Sequence, residues 1–318
     1  MSVMDPPVGT LQSSGTSTAV EPSHQYHAEA HALSGYLHHP VYQRINEKAQ
    51  VMLKDYRDGH IQEKETQFGL EGISFEAGRS RVSGNRNLKN KGWITLSTSI
   101  VEGLNILEVI TADRVVSQVS TEHAYVDGHV PSVTFLGTQF VNLRLSGFEL
   151  KPKFNFSICA DKPGGTTPYV KHLAFLQGAK KQFDIITKGD LPQEVRDEYS
   201  GRLKVVDDLI SSIDDTGNGG DCGSGNGDPI VVTCSLVTSI DIDEIKDVIP
   251  GLKTAGNGLF IPEFGTVALG EVEVTSSHEN DGEYDNYFRL KMLDMKLGCI
   301  GNGAITAGSS ANNGAHHP

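Results

Sequence analysis

The sequence predicts a mainly β protein: an antiparallel β-sandwich, or two packed β lobes, carrying a small two-helix insertion. Three observations lead there. From Trp93 to Leu150 apolar and small polar residues alternate with a period of two, which sends successive side chains to opposite faces of a strand. Both parities carry apolar residues there, Leu107, Val109, Val115 and Val119 on one, Ile106, Ile110 and Val116 on the other, as suits strands covered on both sides. A 3.6-residue beat appears only within 165–213. With 35 glycines, one tryptophan and 7% aromatic residues, the composition also suits a turn-rich β fold better than a helical enzyme.

In chain order, residues 1–23 offer almost nothing apolar to bury and are expected to form a disordered arm. The β domain is expected over 24–308, with 24–160 and 229–308 as two candidate halves. Its first strand places Ala28, Ala30 and Ala32 on one parity and His27, Glu29 and His31 on the other. Gln50–Tyr56 and Phe68–Arg81 continue as short strands, with Gly69, Gly72 and Gly78 marking bulges or bends. Arg79, Arg81, Arg86, Lys89 and Lys91 surround a Gly84-Asn85 turn signal. Such a run suits a charged hairpin edge, and it could also grip an anion.

The core stretch follows, interrupted at Asp127-Gly128. Phe154–Cys159 then pairs as a further strand before Pro163-Gly164-Gly165 breaks the sheet. Within 165–213, Phe175, Leu176 and Phe183 share one helical spacing. Leu191-Pro192-Gln193-Glu194 reads as a second helix start, followed by Val195, Tyr199, Leu203, Val206 and Ile210. Residues 214–228 form an Asp/Gly/Asn-rich loop. Ile230–Ile242 and Thr266–Thr275 are strands, the second with a parity switch at Gly270 that predicts a bulge, and Tyr287–Leu297, whose Phe288, Met292 and Met295 would also suit a helix, is read as a strand because its neighbours are. Residues 309–318 are expected as a loose tail. Short echoes of Thr134–Phe140 in Thr266–Val272, and of Ile94–Ile100 in Val231–Val237, underlie the idea of two halves.

Net charge is −13, and 190–285 holds 21 acidic against 5 basic residues. That segment repels phosphate backbones, so nucleic acid is not an expected partner. No run approaches the roughly 20 apolar residues of a membrane span. Residues 1–23 lack the basic and apolar regions of a secretory signal, which makes the cytoplasm the default location. Cys159, Cys222, Cys234 and Cys299 form no C-x-x-C pair and allow three pairings, of which a 222–234 bridge is sterically easy.

Leu104-Asn105-Ile106-Leu107-Glu108-Val109-Ile110-Thr111-Ala112-Asp113-Arg114-Val115 resembles a strand of bacterial choice-of-anchor P domains. Phe264–Val272 and Gly303–Ser310 resemble later strands of that family, whereas the helical insertion is not typical of it. The resemblance implies an all-β surface protein with no assigned chemistry. It points to a non-catalytic structural or binding domain of a bacterial envelope or assembly, placed in the envelope or outside the cell, and it carries no catalytic residue over.

Two constellations invite chemistry. His24, His27, His31, His38 and His39 crowd the start of the chain, and His27, Glu29 and His31 would project from one strand face as a zinc or copper set. A plain exposed face is the commoner origin of that pattern, because a metal site needs its ligands fixed in geometry. The oxygen-rich loop 214–228 suits calcium, yet from Asp214 it places Gly225 where the helix-loop-helix pattern needs Glu. No Gly-x-Ser-x-Gly elbow, phosphate-binding loop or dinucleotide fingerprint is present. The sequence therefore assigns no catalytic residue, cofactor or metal ligand. It leaves the partner unassigned, a protein or a glycan both being compatible, with a polysaccharide-acting hydrolase or a metal-binding module through the His-rich strand as the alternative functions.

Overall fold

β1 (Ser23–Leu37), β2 (Gln43–Lys48) and β3 (Val51–Asp55) open the chain, and four long strands follow: β4 (Gly59–Leu70), β5 (Ile73–Asn87), β6 (Gly92–Ile106) and β7 (Ile110–Ala124). Short strands β8 (Ser132–Thr134), β9 (Gln139–Val141), β10 (Arg144–Leu145), β11 (Phe148–Glu149) and β12 (Lys151–Phe154) lead to helices α1 (Leu173–Lys188) and α2 (Gln193–Thr216). β13 (Ile230–Ser235), β14 (Val237–Asp241), β15 (Lys253–Ala255) and β16 (Gly258–Ile261) precede β17 (Gly265–His278), β18 (Tyr284–Leu297) and β19 (Gly303–His317). This computed structural model describes residues 23–38, 42–87, 89, 92–125, 130–159, 161–216, 229–278, 284–298 and 302–317.

The first sheet runs β15-β16-β17-β18-β19-β1-β2, with β13 on β17 and β3 on β1. The second runs β11-β10-β7-β6-β5-β4, with β8 and β9 on β7, and β12-β14 forms a small separate ladder. Every pairing is antiparallel. The inner faces of β1, β18 and β19 pack on β5, β6 and β7. This is an antiparallel β-sandwich with a two-helix insertion, as the alternation predicts. The first sheet draws β1–β3 from one end of the chain and β13 and β15–β19 from the other.

Between the sheets lie Leu33, Phe75, Val101, Leu104, Val115, Leu290 and Met295, all buried. Part of the interior is polar but small: Thr95, Ser97, Ser99, Ser117, Ser310 and Asn312 are buried too. Several of these join the sheets directly. Asn312 donates its side-chain amide to the carbonyls of Thr95 (3.0 Å) and Val119 (2.7 Å), and Ser310 donates to the Ser117 carbonyl at 3.0 Å. Buried carbonyls need such partners, so these bonds help fix how the sheets sit on each other.

Both sheets bend along a row of residues. In the first, the pairing keeps its register but skips Ala32, Gly308, Met292 and Gly270, which lie side by side across β1, β19, β18 and β17. Gly308 and Gly270 have φ +64° and +61°, a left-handed geometry that glycine adopts without strain. The buried parity switches there: on β18, Phe288, Leu290 and Met292 face inward before the row, and Leu293, Met295 and Leu297 after it. Gln67 and Gly103, with φ +57° and +63°, mark the matching row of the second sheet. The switch expected at Gly270 is one member of a sheet-wide bend.

Five expectations are corrected. Phe154–Cys159 is not a strand: β12 ends at Phe154, and the chain then turns through Cys159. Gly84-Asn85 is no turn: both lie inside β5, where a Cβ at Gly84 would sit 2.4 Å from the Tyr26 ring. Arg79 and Arg81 are not on an edge, because β5 runs between β4 and β6. The stretch 309–317 is no loose tail but the second half of β19, a central strand between β1 and β18. Its small residues hid it, since Ser310 and Asn312 face the interior by hydrogen bonding and not by apolar burial. Helix α2 extends to Thr216, so the loop expected from 214 starts later, and 217–228 lies outside the described residues. Residues 1–22 and the Asp127-Gly128 break also lie outside them, whereas Ser23 opens β1.

Helix α1 buries Phe175, Leu176, Ala179, Phe183 and Ile186, a stripe at helical spacing. Its Gln182 clamps β13, accepting from the Ser235 amide (2.7 Å) and donating to the Ser235 carbonyl (2.8 Å). Helix α2 crosses the outer face of β17 through Arg202, which pairs with the buried Glu271 at 2.6 Å. Among the described residues no helix is long and apolar enough to cross a membrane.

Candidate functional site

The outer face of the first sheet stays open beside α2, and there β1 presents His27, Glu29 and His31, as the alternation predicts. The register sets what they meet. His31 lies opposite Ser309 and, one strand further, Lys291; Glu29 lies opposite Ala311 and then Arg289. Neighbouring strands are about 4.8 Å apart, so β1 and β18 stand about 10 Å apart with small residues between them. The result is a trough floored by Ser309 and Ala311 and walled by long polar side chains. Over the floor, Arg289 donates from Nη2 to Glu29 Oε1 at 2.7 Å, and the Tyr287 hydroxyl donates to the same oxygen. A cavity of about 290 Å³ continues from there, lined among others by His31, Ser34, Glu47, Lys291 and Thr306.

These groups hold one another. Burial alone would raise the Glu29 carboxyl, but the hydrogen bonds from Tyr287 and Arg289, with the Arg289 charge, outweigh it and bring it below the ordinary carboxylate range. Burial also depresses His31, more than Glu47 and Glu29 pull it up, and Arg289 and Lys291 push the same way as burial. His27 is lowered by burial, against Glu29 and with Lys54. At neutral pH the trough thus offers an ionised carboxylate, neutral imidazoles and fixed cations. The His31 Nε2 is engaged with the Ser34 hydroxyl at 3.0 Å.

Further along the same face, Tyr36 follows Ser34 and gathers His38 and Tyr42, with ring centroids 5.1–6.3 Å apart. Tyr36 is 38% and Tyr42 59% exposed, which makes an aromatic shelf at the open end of the trough.

The His27, Glu29 and His31 set weighed as a metal site lies on one face of β1 but is not left free. Glu29 is taken by a guanidinium and a phenol, and among the described residues no group of three His, Cys, Asp or Glu converges. The five histidines do not form one patch either. His24 points inward, stacked 5.1 Å from Trp93 and 4.6 Å from His123, and His39 lies outside the described residues. The calcium reading of 214–228 falls almost wholly outside them as well.

The basic run supplies Arg79 and Arg81 to a wider cavity of about 590 Å³ on the outer face of the second sheet, around Leu96 and Ile100. Arg79 pairs with Glu102 at 3.2 Å, and Arg81 donates from Nε to His60 Nδ1 at 3.2 Å. Both of these arginines already have partners.

Sequence reasoning missed Arg289, Lys291, Ser309 and Ala311. A signal was present: Tyr287, Arg289 and Lys291 form the polar parity of a strand, and Ser309–Ala311 is a run of small residues.

Fold and trough together define an antiparallel β-sandwich with a pre-formed polar face on its outer side. Residues 24–275 match the family described as a domain of unknown function, DUF8256, and the chain belongs to that family. No curated protein and no solved structure matches it.

Proposed function

We propose that this protein is a non-catalytic binding domain of a bacterial envelope or assembly, and that it holds a glycan in the trough between β1 and β18. The observation that carries this is the array of mutually fixed polar groups over a small-residue floor, next to the exposed shelf of Tyr36, His38 and Tyr42. Sugar hydroxyls both donate and accept, so they fit a site offering carboxylate oxygens beside guanidinium and ammonium donors. The apolar body of a tyrosine ring covers the C–H face of a sugar while its hydroxyl stays wet. Groups already held in place lose little freedom when a ligand arrives, which favours binding.

Polysaccharide hydrolysis would need a carboxylic acid that stays protonated near neutral pH, and Glu29 is displaced the other way. The envelope setting rests on the resemblance of the Leu104–Val115 strand. The test is a glycan array followed by calorimetry on the full chain. Binding without release of reducing ends is expected, weakened at least tenfold, about 1.4 kcal/mol, by Arg289→Met or Tyr36→Ala. Steady turnover of the bound glycan would turn the assignment to a hydrolase. Zinc binding that depends on His27 and His31 would turn it to a metal module, and a folded protein that binds no glycan would end it.

A further inference from the structure

Cys159 and Cys234 enter the core from the two ends of the helical insertion. Cys159 lies in the turn after β12, and Cys234 lies in β13. The β12–β14 ladder, with Phe154 opposite Val237, draws these segments together, and the Asn155 amide donates to the Leu236 carbonyl at 2.6 Å. Both are free thiols in this structure, 2% and 3% exposed within one apolar cluster, and each feels the other electrostatically. Their surroundings are tied down as well. The Tyr169 hydroxyl donates to the Pro131 carbonyl at 3.1 Å and lies 3.4 Å from the Cys159 carbonyl, and Gln182 clamps Ser235 beside Cys234. Thiols are weak donors and acceptors, so such a pair gains little while it stays reduced.

We propose that Cys159 and Cys234 are joined by a disulfide that closes off the two-helix insertion. The oxidant is another disulfide, from a low-molecular-weight thiol pool or a thiol oxidoreductase. The thiolate of one cysteine attacks it, forms a mixed disulfide and displaces one thiol. The second cysteine, deprotonated, attacks the protein sulfur of that intermediate and displaces the other. The two cysteines are oxidised, the donor disulfide is reduced to two thiols, and the cysteine protons end on those thiols. The neighbouring Cys159 thiol, and then burial, push the Cys234 thiol well above its usual value, so thiolate is scarce once the core has closed. The bond therefore forms while the chain folds, and it encloses a loop of roughly 75 residues.

The test refolds the full chain with glutathione and its disulfide, and digests it unreduced with a protease that cuts before aspartate. Cleavage at Asp161 and Asp228 separates Cys159 and Cys234 from the other cysteines. One linked mass joining the two peptides, lost on reduction, is expected. So is a Tm roughly 5–10 °C above that of the reduced protein, with no such gain in Cys159→Ser. Recovery of both cysteines as free thiols after refolding, or linkage of Cys234 to Cys222 or Cys299, would overturn the proposal.

Discussion

Glu29 and Arg289 are 260 positions apart in the chain and 2.7 Å apart in the trough. Arg289→Met leaves the carboxylate half-buried with Tyr287 as its remaining hydrogen-bond donor. Glu29 and Arg289 side chains are 23% and 35% exposed, so water takes up part of the cost. The expected loss is about 1–2 kcal/mol in urea unfolding, with Glu29→Gln milder because its amide oxygen still accepts. A loss no larger than that of an ordinary surface substitution would show that the pair does not hold the face together. A second residue-scale test concerns Gly84, where a Cβ would sit 2.4 Å from the Tyr26 ring, while at Gly69 nothing lies within 4 Å. Gly84→Ala should cost about 1–3 kcal/mol or more by overpacking, and Gly69→Ala about nothing, measured side by side by the same denaturation.

Strand β19 carries the largest responsibility of any element, since it joins β1 to β18 and floors the trough. Its second half also supplies Ser310 and Asn312 to the bonds between the sheets. Deleting 309–318 would leave half of β1 and half of β18 without a neighbour on one side, exposing unpaired strand edges and several buried carbonyls. The truncated protein should aggregate or melt without a cooperative transition. Recovery of a soluble monomer with the wild-type circular dichroism melt would mean the strand adds little. The same stretch shows why this element was hard to see: its alternation is between small residues, so hydropathy falls silent where hydrogen bonding is strongest.

At the scale of the whole molecule, the depressed side chains give stability a defined dependence on pH. His27 and His31 have folded values below their unfolded ones, so the unfolded chain binds more protons in between. Their contribution is complete above about pH 6.5 and is lost as pH falls from there through the folded values. Glu29 and Glu198 are depressed carboxyls, whose contribution holds above about pH 4.3 and is lost as pH falls further. Tm should therefore drop in two stages on acidification. Replacing both histidines by asparagine should flatten the first stage and leave the second. A double variant that follows the wild-type curve from pH 7 to 5 would assign that stage to other groups.

The sequence by itself determined whatever depends on local periodicity. A period of two set the β class and the outward parity of His27, Glu29 and His31. A period of 3.6 located α1 and α2, and the glycine between two parities marked the bend at Gly270. Parity and helical spacing follow from backbone geometry within a few residues, so no partner need be known. Only the tertiary structure decided which strand lies beside which. It placed β19 between β1 and β18, moved Arg79 and Arg81 from an expected edge to the interior of a sheet, gave Glu29 to Arg289, and set Cys159 against Cys234. Those choices depend on how two sheets bury their faces together, a property of all the strands at once, and no stretch of local sequence encodes it.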